Sequence, residues 1–332
     1  MSITHQDFQQ AMKVSLLEVI AENYPQVPEL FQRICTIKSI TDGMGSYDQS
    51  TSIINFKIME EQENELDAAA DDKIAEGYTT YAKWRTFTKK VNVSYQAMRD
   101  DKTGVIRRLT DFGVEYAQAY RQTRDQFIAD HFNYGALLVG HRYFNQTVPA
   151  NNGAKGLLDP TGDLTYDGKP WFAASGNNHI PYDTNKNTAT YFNSIGALSP
   201  SYANLVTGWN RMADSNAYDE AGNRVQLVPD VLMCPAVQDL TWQQVLQSNI
   251  LTDTSKNVLQ SRLQILVNPY CTGSAWFLID TRVDGLRFYE RQTPEIVIID
   301  KNNLSMDIVV HCRFGSMVKN WRSFIGADML TV

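Results

Sequence analysis

The sequence predicts an α+β fold, in which helices and strands mix without the regular strand–helix–strand alternation of a parallel sheet. Three observations support this prediction. One long stretch, 103–134, has hydrophobic residues at every third or fourth position, as an amphipathic helix requires. Short apolar runs in the last third of the chain are typical of strands. Between 135 and 197, repeated Asn, Asp, Gly and Pro residues indicate turns and loops.

The N-terminal segment, 1–46, is predicted to form an arm. A helix should begin at Thr4 and end near Asn23, because Pro25 and Pro28 follow and proline disrupts a helix interior. The rest of the segment is predicted to be extended, with few partners of its own. We therefore expect the arm to need another surface on which to lie.

Residues 47–98 predict a long hairpin whose two limbs carry opposite charge. Two strand-like runs, 52–59 and 79–93, flank a charged excursion. The chain has seven acidic residues and no basic one between Glu60 and Asp72, whereas basic residues accompany the second run. One interpretation is a solvated hairpin whose charges satisfy each other. The other is a protruding loop that pairs with a neighbouring subunit, because complementary charges fix register and partner choice. The candidate contact residues are Glu60, Glu61, Glu63, Glu65, Lys83, Arg85, Lys89 and Lys90.

The strongest helix signal follows at 103–134. At a rise of 1.5 Å per residue this helix would be roughly 45 Å long. Its apolar positions form one stripe, and charged residues occupy the other faces. A helix of this kind needs a sheet or a second helix beneath the stripe. The stripe consists of Val105, Leu109, Phe112, Tyr116, Tyr120, Thr123, Phe127 and His131.

The remaining elements are shorter and follow no repeat. Apolar spacing predicts further helices at 202–213, 240–248 and 258–262. A strand at 306–314 alternates less than the others, as a buried strand would. The other predicted strands lie at 225–233, 265–267, 276–280, 286–289 and 295–299.

Composition narrows the class of protein. The chain has 332 residues, a formal net charge of −7 and a pI near 5.3, whereas a nucleic-acid binder usually carries a basic patch or a high pI. No run approaches the roughly 18 apolar residues of a membrane span, and no secretory signal is recognisable, so we expect no membrane partner. The four cysteines have no CxxC spacing, which favours free, buried thiols in a cytoplasmic protein.

No motif for catalysis or metal binding occurs in the sequence. The five histidines form no HExxH pair, and no Cys/His cluster has zinc spacing. The patterns GxSxG, GxxxxGK[ST] and GxGxxG are also missing. His179 follows an Asn-Asn turn and is predicted to be a loop residue rather than a general base. We therefore predict no catalytic residue, no cofactor and no metal, and a protein that is not an enzyme.

Several short stretches occur in a recognisable order along the chain. They are Val93-Ser94-Tyr95 through Asp100-Asp101 ahead of the long helix, Lys169-Pro170-Trp171-Phe172 with His179, Asn268-Pro269-Tyr270 with Trp276-Phe277-Leu278, and Arg313-Phe314-Gly315 to Trp321-Arg322. Together with the order of turns, short strand, helix and aromatic strand over 219–276, they resemble the major capsid proteins of tailed phages. These proteins share the Hong Kong 97-type fold.

The resemblance implies a division of the chain into five parts. The hairpin corresponds to the extended E-loop of that fold, and the long helix corresponds to its spine helix. The parts are an N-terminal arm (1–46), the E-loop hairpin (47–98), a peripheral domain with the spine helix (99–198), an axial domain (199–290) and strands that return to the peripheral domain (291–332).

The resemblance also implies a function. The chain would assemble into pentamers and hexamers, with arm and hairpin lying on sister copies, and form an icosahedral head around double-stranded DNA without sequence-specific binding. Its location would be the virion capsid, after assembly in the host cytoplasm. No scaffold segment fits ahead of the spine helix, which implies a separate scaffolding protein; a portal protein and room for a decoration protein are also implied.

Two alternatives remain open at the level of sequence. The same fold also serves encapsulin-like nanocompartment shells that enclose an enzyme, and nothing in the residues separates the two. A cytosolic enzyme is the third hypothesis, and it predicts a compact monomer or small oligomer with a ligand pocket.

Overall fold

The computed structural model describes most of the chain after the arm. The described residues are 29–40, 47–53, 76–94, 109–136, 169–182, 184–248, 257–260, 262–301 and 305–329, with the single residues 14, 18, 59, 96, 100, 165 and 167. Among them, no helix is both long enough and apolar enough to cross a membrane. The helices and strands mix as the α+β prediction requires.

The strands and helices follow in this order. The strands are β1 (Thr36–Ser39), β2 (Tyr47–Ile53), β3 (Glu76–Lys83), β4 (Arg85–Ser94), β5 (Val231–Cys234), β6 (Gln264–Val267), β7 (Trp276–Ile279), β8 (Leu286–Lys301), β9 (Ser305–Val318) and β10 (Phe324–Ala327). The helices are α1 (Leu109–Tyr134), α2 (Tyr202–Asn210) and α3 (Asp239–Gln247). A π-helical turn, Arg211–Ser215, continues α2. Short 3-10 turns lie at Phe31–Arg33, Ala236–Gln238 and Trp321–Ser323.

The first sheet has four strands in the order β1-β8-β9-β4, and α1 covers one of its faces. The β8–β9 pair and the β9–β4 pair are antiparallel, and β1 runs parallel to the start of β8. Ile296, Ile308 and Val310 of the sheet are buried with Tyr116 and Ala117 of α1. The Tyr116 hydroxyl also donates to the Ile308 carbonyl at 3.1 Å. The apolar stripe of the predicted spine helix therefore faces this sheet.

The second sheet has the order β10-β7-β5-β6, and α2 and α3 contribute to the core on it. All four residues of β5 and of β7 are buried, because both strands are central in the sheet. A separate cluster of aromatic rings joins the other face of this sheet to α1: Phe132 of α1 lies 5.0 Å from the ring of Phe277 and 4.7 Å from that of Trp171. Burial of several large rings is the main source of stability at this junction.

The expectation that the arm lacks partners in its own chain is wrong for residues 29–40. Phe31 and Ile34 are buried in the main core, and the Phe31 amide donates to the Asp125 carboxylate at 3.1 Å. Glu29, at 2% exposure, forms a buried ion pair with Arg124 of α1. These residues stay on their own subunit because apolar burial and a charge partner are both available there. Residues 1–13, 15–17, 19–28 and 41–46 of the predicted arm lie outside the described residues, and with them nearly all of the helix predicted from Thr4 to Asn23.

The predicted second limb of the hairpin, 79–93, is in fact two strands. β2 and β3 form the antiparallel hairpin, with Tyr47 opposite Lys83. After Trp84 the chain changes partner, and β4 pairs with β9 along its whole length. Trp84 is buried edge-on against Tyr289, with ring centroids 5.9 Å apart, which anchors the chain between the two strands. Residues 54–58 and 60–75, at the predicted tip, lie outside the described residues.

Three shorter predictions also need correction. Residues 258–260 form a turn instead of a helix, since Asn257 accepts from the Leu259 amide and donates to the carbonyls that end α3. Of the strand predicted at 225–233, only 231–233 lie in a strand, β5, which ends at Cys234. The two strands predicted at 286–289 and 295–299 are one strand, β8, with irregular register around Gln292. The spine helix is described from Leu109, and 103–108 lie outside the described residues.

Candidate assembly surfaces

Helix α3 and the 3-10 turn Ala236–Gln238 before it present an exposed face that carries no charge. Trp242 and Leu246 bury the opposite side of the helix, and the Trp242 indole N–H donates to the Gln238 side chain at 3.2 Å. Because the inward positions recur every four residues, the positions between them point away from the core. We call the exposed set the α3 face; it consists of Ala236, Val237, Leu240, Thr241, Gln244 and Gln247.

Two large apolar side chains dominate the α3 face. Val237 is 89% exposed and Leu240 is 72% exposed. Single exposed apolar residues are ordinary on any protein. Here two of them lie one helical turn apart among uncharged neighbours, and loss of charged residues is the feature that distinguishes the core of a protein interface. The α3 face is therefore a candidate contact surface.

A second candidate is the outer face of the first sheet, which we define as the face turned away from α1. Side chains alternate along a strand, so the residues between the buried Ile296, Ile308 and Val310 lie on this outer face. The register places Lys90, Val309 and Val297 side by side in one row. The next row contains Asn92, Asp307 and Ile299. Val297 and Ile299 are 40% and 48% exposed, so this face combines apolar and charged groups.

Asp307 organises the charges of the outer face. Lys301 lies 2.8 Å from its carboxylate and Lys90 lies 3.5 Å from it, while the Asn92 amide donates to it at 2.6 Å. The hydrogen bonds from Lys301 and Asn92 lower the pKa of Asp307 below its usual value, so it is ionised at neutral pH. The two lysines and the one carboxylate give this cluster a net charge of +1.

The structure separates the predicted contact residues rather than bringing them together. Arg85 and Lys89 of β4 pair with Phe314 and Val310, whose side chains face α1, whereas Lys90 points to the outer face beside Asp307. The backbone of Lys83 ends β3. The four acidic candidates, Glu60, Glu61, Glu63 and Glu65, lie outside the described residues. The basic candidates thus do not form one continuous limb of the hairpin.

The loop that contains His179 is fixed by a buried hydrogen bond and a ring stack. His179 is 0% exposed, its Nδ1 lies 3.0 Å from the Asp167 carboxylate, and its ring stacks on Trp321 at 4.1 Å. Burial alone would raise the pKa of Asp167, but the hydrogen bond and charge of His179 lower it below its usual value. Since the pair is enclosed, it holds the loop against the 3-10 turn Trp321–Ser323 and confirms His179 as a loop residue.

The thiols and acidic groups of the described residues show no reactive arrangement. No group of three His, Cys, Asp or Glu residues within the described ranges has the geometry to hold a metal ion. Cys35, Cys234, Cys271 and Cys312 are free, as predicted. Burial raises the pKa of Cys234, Cys271 and Cys312 to about 12, which leaves them as protonated, unreactive thiols at neutral pH.

One of these two surfaces, the α3 face, has a signal in the sequence. Val237 and Leu240 are three residues apart, and neither falls on the four-residue period of the buried positions Gln238, Trp242 and Leu246. This spacing places them on the opposite side of the helix. The cluster at Asp307 had no such signal, because Lys90 comes from a strand more than 200 residues away in sequence.

Comparison with known families gives one match. The family described as phage capsid protein matches residues 77–327, which is most of the chain and includes all three helices, the second sheet and strands β4, β8 and β9 of the first sheet. A comparison with curated protein sequences gave no match.

Solved structures give several matches by fold. The capsid of the cyanophage P-SCSP1u has a TM-score of 0.55 at 9% identity, with 92% of this chain and 89% of that chain covered. The mature capsid of bacteriophage PhiM1 has a TM-score of 0.53 at 8% identity, with the same two coverages. The capsid of Myoviridae phage XM1 has a TM-score of 0.52 at 9% identity, with 90% of this chain and 91% of that chain covered. At these identities the likeness shows a common fold, the Hong Kong 97-type fold that the sequence predicted.

Proposed function

Since this chain belongs to the phage capsid protein family, we propose that it is the major capsid protein whose copies assemble into pentamers and hexamers. In this proposal the rings close into an icosahedral head that encloses double-stranded DNA. The observation that carries the proposal is the family match over 77–327, in a chain whose fold is that of solved phage capsids over about nine-tenths of its length.

The two sheets support a division of each subunit into two domains with different positions in the shell. The first sheet with α1 forms the peripheral domain, to which 291–332 return through β8 and β9. The second sheet with α2 and α3 forms the axial domain around the centre of each ring. Residues 199–290 supply most of this domain, and β10 adds one strand from the segment 291–332. Each domain has its own cluster of buried hydrophobic residues. Such a domain can keep its shape in rings of five copies and in rings of six.

Charge supports a contact between the hairpin of one copy and the sheet of another. The run from Glu60 to Asp72 has seven acidic residues and no basic one, and so needs cations. Lys89 and Lys90 are exposed on β4, and the outer face has an excess of positive charge around Asp307. The acidic run of one copy therefore binds the basic side chains of its neighbour, which adds specificity more than affinity.

The overall charge is consistent with a container for nucleic acid. A formal charge of −7 per subunit, repeated over a shell, repels the DNA backbone instead of binding it tightly. The proposal further assigns assembly to the host cytoplasm, guided by a separate scaffolding protein and completed by a portal.

Sedimentation velocity of the purified chain at rising concentration tests assembly. The proposal predicts that rings or shells of many copies replace the monomer as the concentration increases. Nucleic acid measured in particles from infected or induced cells then separates a phage head from a protein-filled compartment. A monomer that persists at every concentration, or particles that contain a single enzyme and no DNA, would overturn the proposal.

A further inference from the structure

Three buried hydrogen-bond donors lie at the outer face of the first sheet, where the hairpin of β2 and β3 joins β4. They are the indole N–H of Trp84, Nη1 of Arg291 and Nε of Arg313, and none of them has a hydrogen-bond partner in the part of the chain that the structure describes. We propose that these donors form a binding site for one small oxyanion, a carboxylate or a phosphate group. All three belong to one copy of the chain, so the inference goes beyond assembly and does not depend on it.

A β-bulge in β8 brings the donors together. The register of β8 against β9 is irregular on both sides of Gln292, which pairs with Arg313. Arg291 is therefore an additional residue opposite Arg313, and side chains opposite each other on neighbouring strands are within reach. The guanidinium of Arg291 lies over the ring of Trp84, with its Cζ 5.4 Å from the ring centroid. The two cations are thus neighbours of each other and of the indole.

Both arginines lie on the face of the sheet that is turned away from α1. On β8, the preceding residue Glu290 binds Arg124 of α1. On β9, the following residue Phe314 is buried in the main core. Because successive side chains of a strand point to opposite faces, Arg291 and Arg313 are directed outward.

The charge of the two arginines is not balanced by a carboxylate of the described residues. Neither Arg291 nor Arg313 forms an ion pair within those ranges. Glu295, which also faces outward on β8, lies 3.5 Å from Nε2 of His311 instead. The site therefore combines three donors with two positive charges.

This donor set selects the class of ligand. Indole and guanidinium groups donate hydrogen bonds and accept none, so the ligand has to supply the acceptors. Positive charge favours an anion over a neutral carbonyl group, and the planar fork of arginine matches the oxygens of a carboxylate or a phosphate. Trp84 is 6% exposed and the three nitrogen atoms are buried, so the group that reaches them is small. Its oxygens remove the free-energy cost of leaving buried donors unpaired.

NMR of the indole N–H groups tests the site on isotope-labelled chain at a concentration below assembly. Trp84→Phe keeps an aromatic ring and removes the N–H, and so identifies the Trp84 signal. We expect this signal to move and reach saturation as sodium phosphate or sodium acetate replaces sodium chloride at constant ionic strength. The signals of the other tryptophans should move much less.

Two arginine variants test the assigned residues. Arg291→Gln removes a charged donor, so we expect it to raise the apparent Kd for phosphate at least about tenfold. Arg224→Gln is the matched control, because this arginine is 62% exposed in its pair with Asp214, and its loss should change the Kd by no more than about twofold.

Peptides distinguish the two sources of the oxyanion. One peptide has the sequence of residues 60–72, with its seven acidic residues, and the other has each acid replaced by its amide. Saturation by the acidic peptide at a lower concentration than phosphate, without an effect of the amide peptide, assigns the site to a protein carboxylate. Saturation by phosphate at the lower concentration assigns it to a free anion.

Two results would overturn the inference. One is a Trp84 signal that phosphate, acetate and the acidic peptide all leave in place. The other is an Arg291→Gln protein that binds phosphate as tightly as the wild type. Since binding is measured on single copies, a chain that never assembles would overturn the proposed function and leave this test unaffected.

Discussion

Loss of the Arg124 guanidinium is the perturbation whose cost the structure defines best. Arg124 is 3% exposed and lies between the carboxylates of Glu29 and Glu290. Its Nε lies 3.0 Å from Glu29, and its Nη1 lies 2.8 Å from Glu290 and 2.7 Å from the Tyr120 hydroxyl. The guanidinium also lies over the Phe31 ring at 5.0 Å. One cation thus joins the arm, α1 and β8.

The variant Arg124→Met keeps the length of the side chain and removes the charge. Removing one partner of a buried ion pair costs about 3–5 kcal/mol, because the remaining charge loses its compensation. Two carboxylates share this cation, so we expect about 4 kcal/mol, or roughly a thousandfold change in the unfolding equilibrium. In a thermal scan this corresponds to roughly 10 °C.

Urea unfolding of the unassembled chain, followed by tryptophan fluorescence, measures this cost. The double variant Arg124→Met/Glu29→Gln should recover part of it, since it removes one uncompensated carboxylate. Arg224→Met is the matched control: its ion pair with Asp214 is 62% and 68% exposed, and its loss should cost no more than about 1 kcal/mol. An Arg124→Met protein as stable as Arg224→Met would refute the reasoning.

Three further predictions follow from other parts of the structure. Asp167→Asn should lower the free energy of unfolding by about 2 kcal/mol at pH 7. Because the pKa of Asp167 is lowered in the folded chain, its contribution is present above the pKa of the unfolded state and is lost as the carboxylate is protonated, so the two proteins should become more alike in stability below the usual carboxyl range. Equal differences in unfolding free energy at pH 7 and pH 3 would contradict this. Gly285→Ala should lower the unfolding free energy by about 1–3 kcal/mol, because an added Cβ would overlap the buried ring of Phe324 at the start of β10. An unchanged midpoint of thermal unfolding would show that the site has room for the methyl group. Reversal of both Lys89 and Lys90 to Glu should leave monomer stability within about 1 kcal/mol but reduce assembly, most strongly at low salt, since exposed charges are screened by salt; assembly with wild-type salt dependence would exclude these lysines as contacts.

Local patterns predicted the elements in which one physical signal dominates. The spine helix was predictable because its stripe extends over many turns, and α3 because Trp242 and Leu246 mark one side. β7 was predictable from four consecutive apolar residues, Trp276 to Ile279. These signals act within one element and so appear directly in the sequence.

The errors arose where a distant partner decides the structure. The arm looked unpartnered because Arg124, which binds Glu29, lies 95 residues away. The break at Trp84 depends on Tyr289, which follows about 200 residues later. The charge pattern grouped Lys89 and Lys90 into one basic surface. The two residues are adjacent on β4, and the two-residue period of a strand points their side chains to opposite faces of the sheet.

Electron microscopy of the purified particles measures the central claim most directly. The account predicts closed shells of rings of five and six copies, with the second sheet and its helices nearest to the ring centre and the first sheet at the ring's edge. A protein that stays a monomer or a small oligomer of fixed size at every concentration would contradict the account.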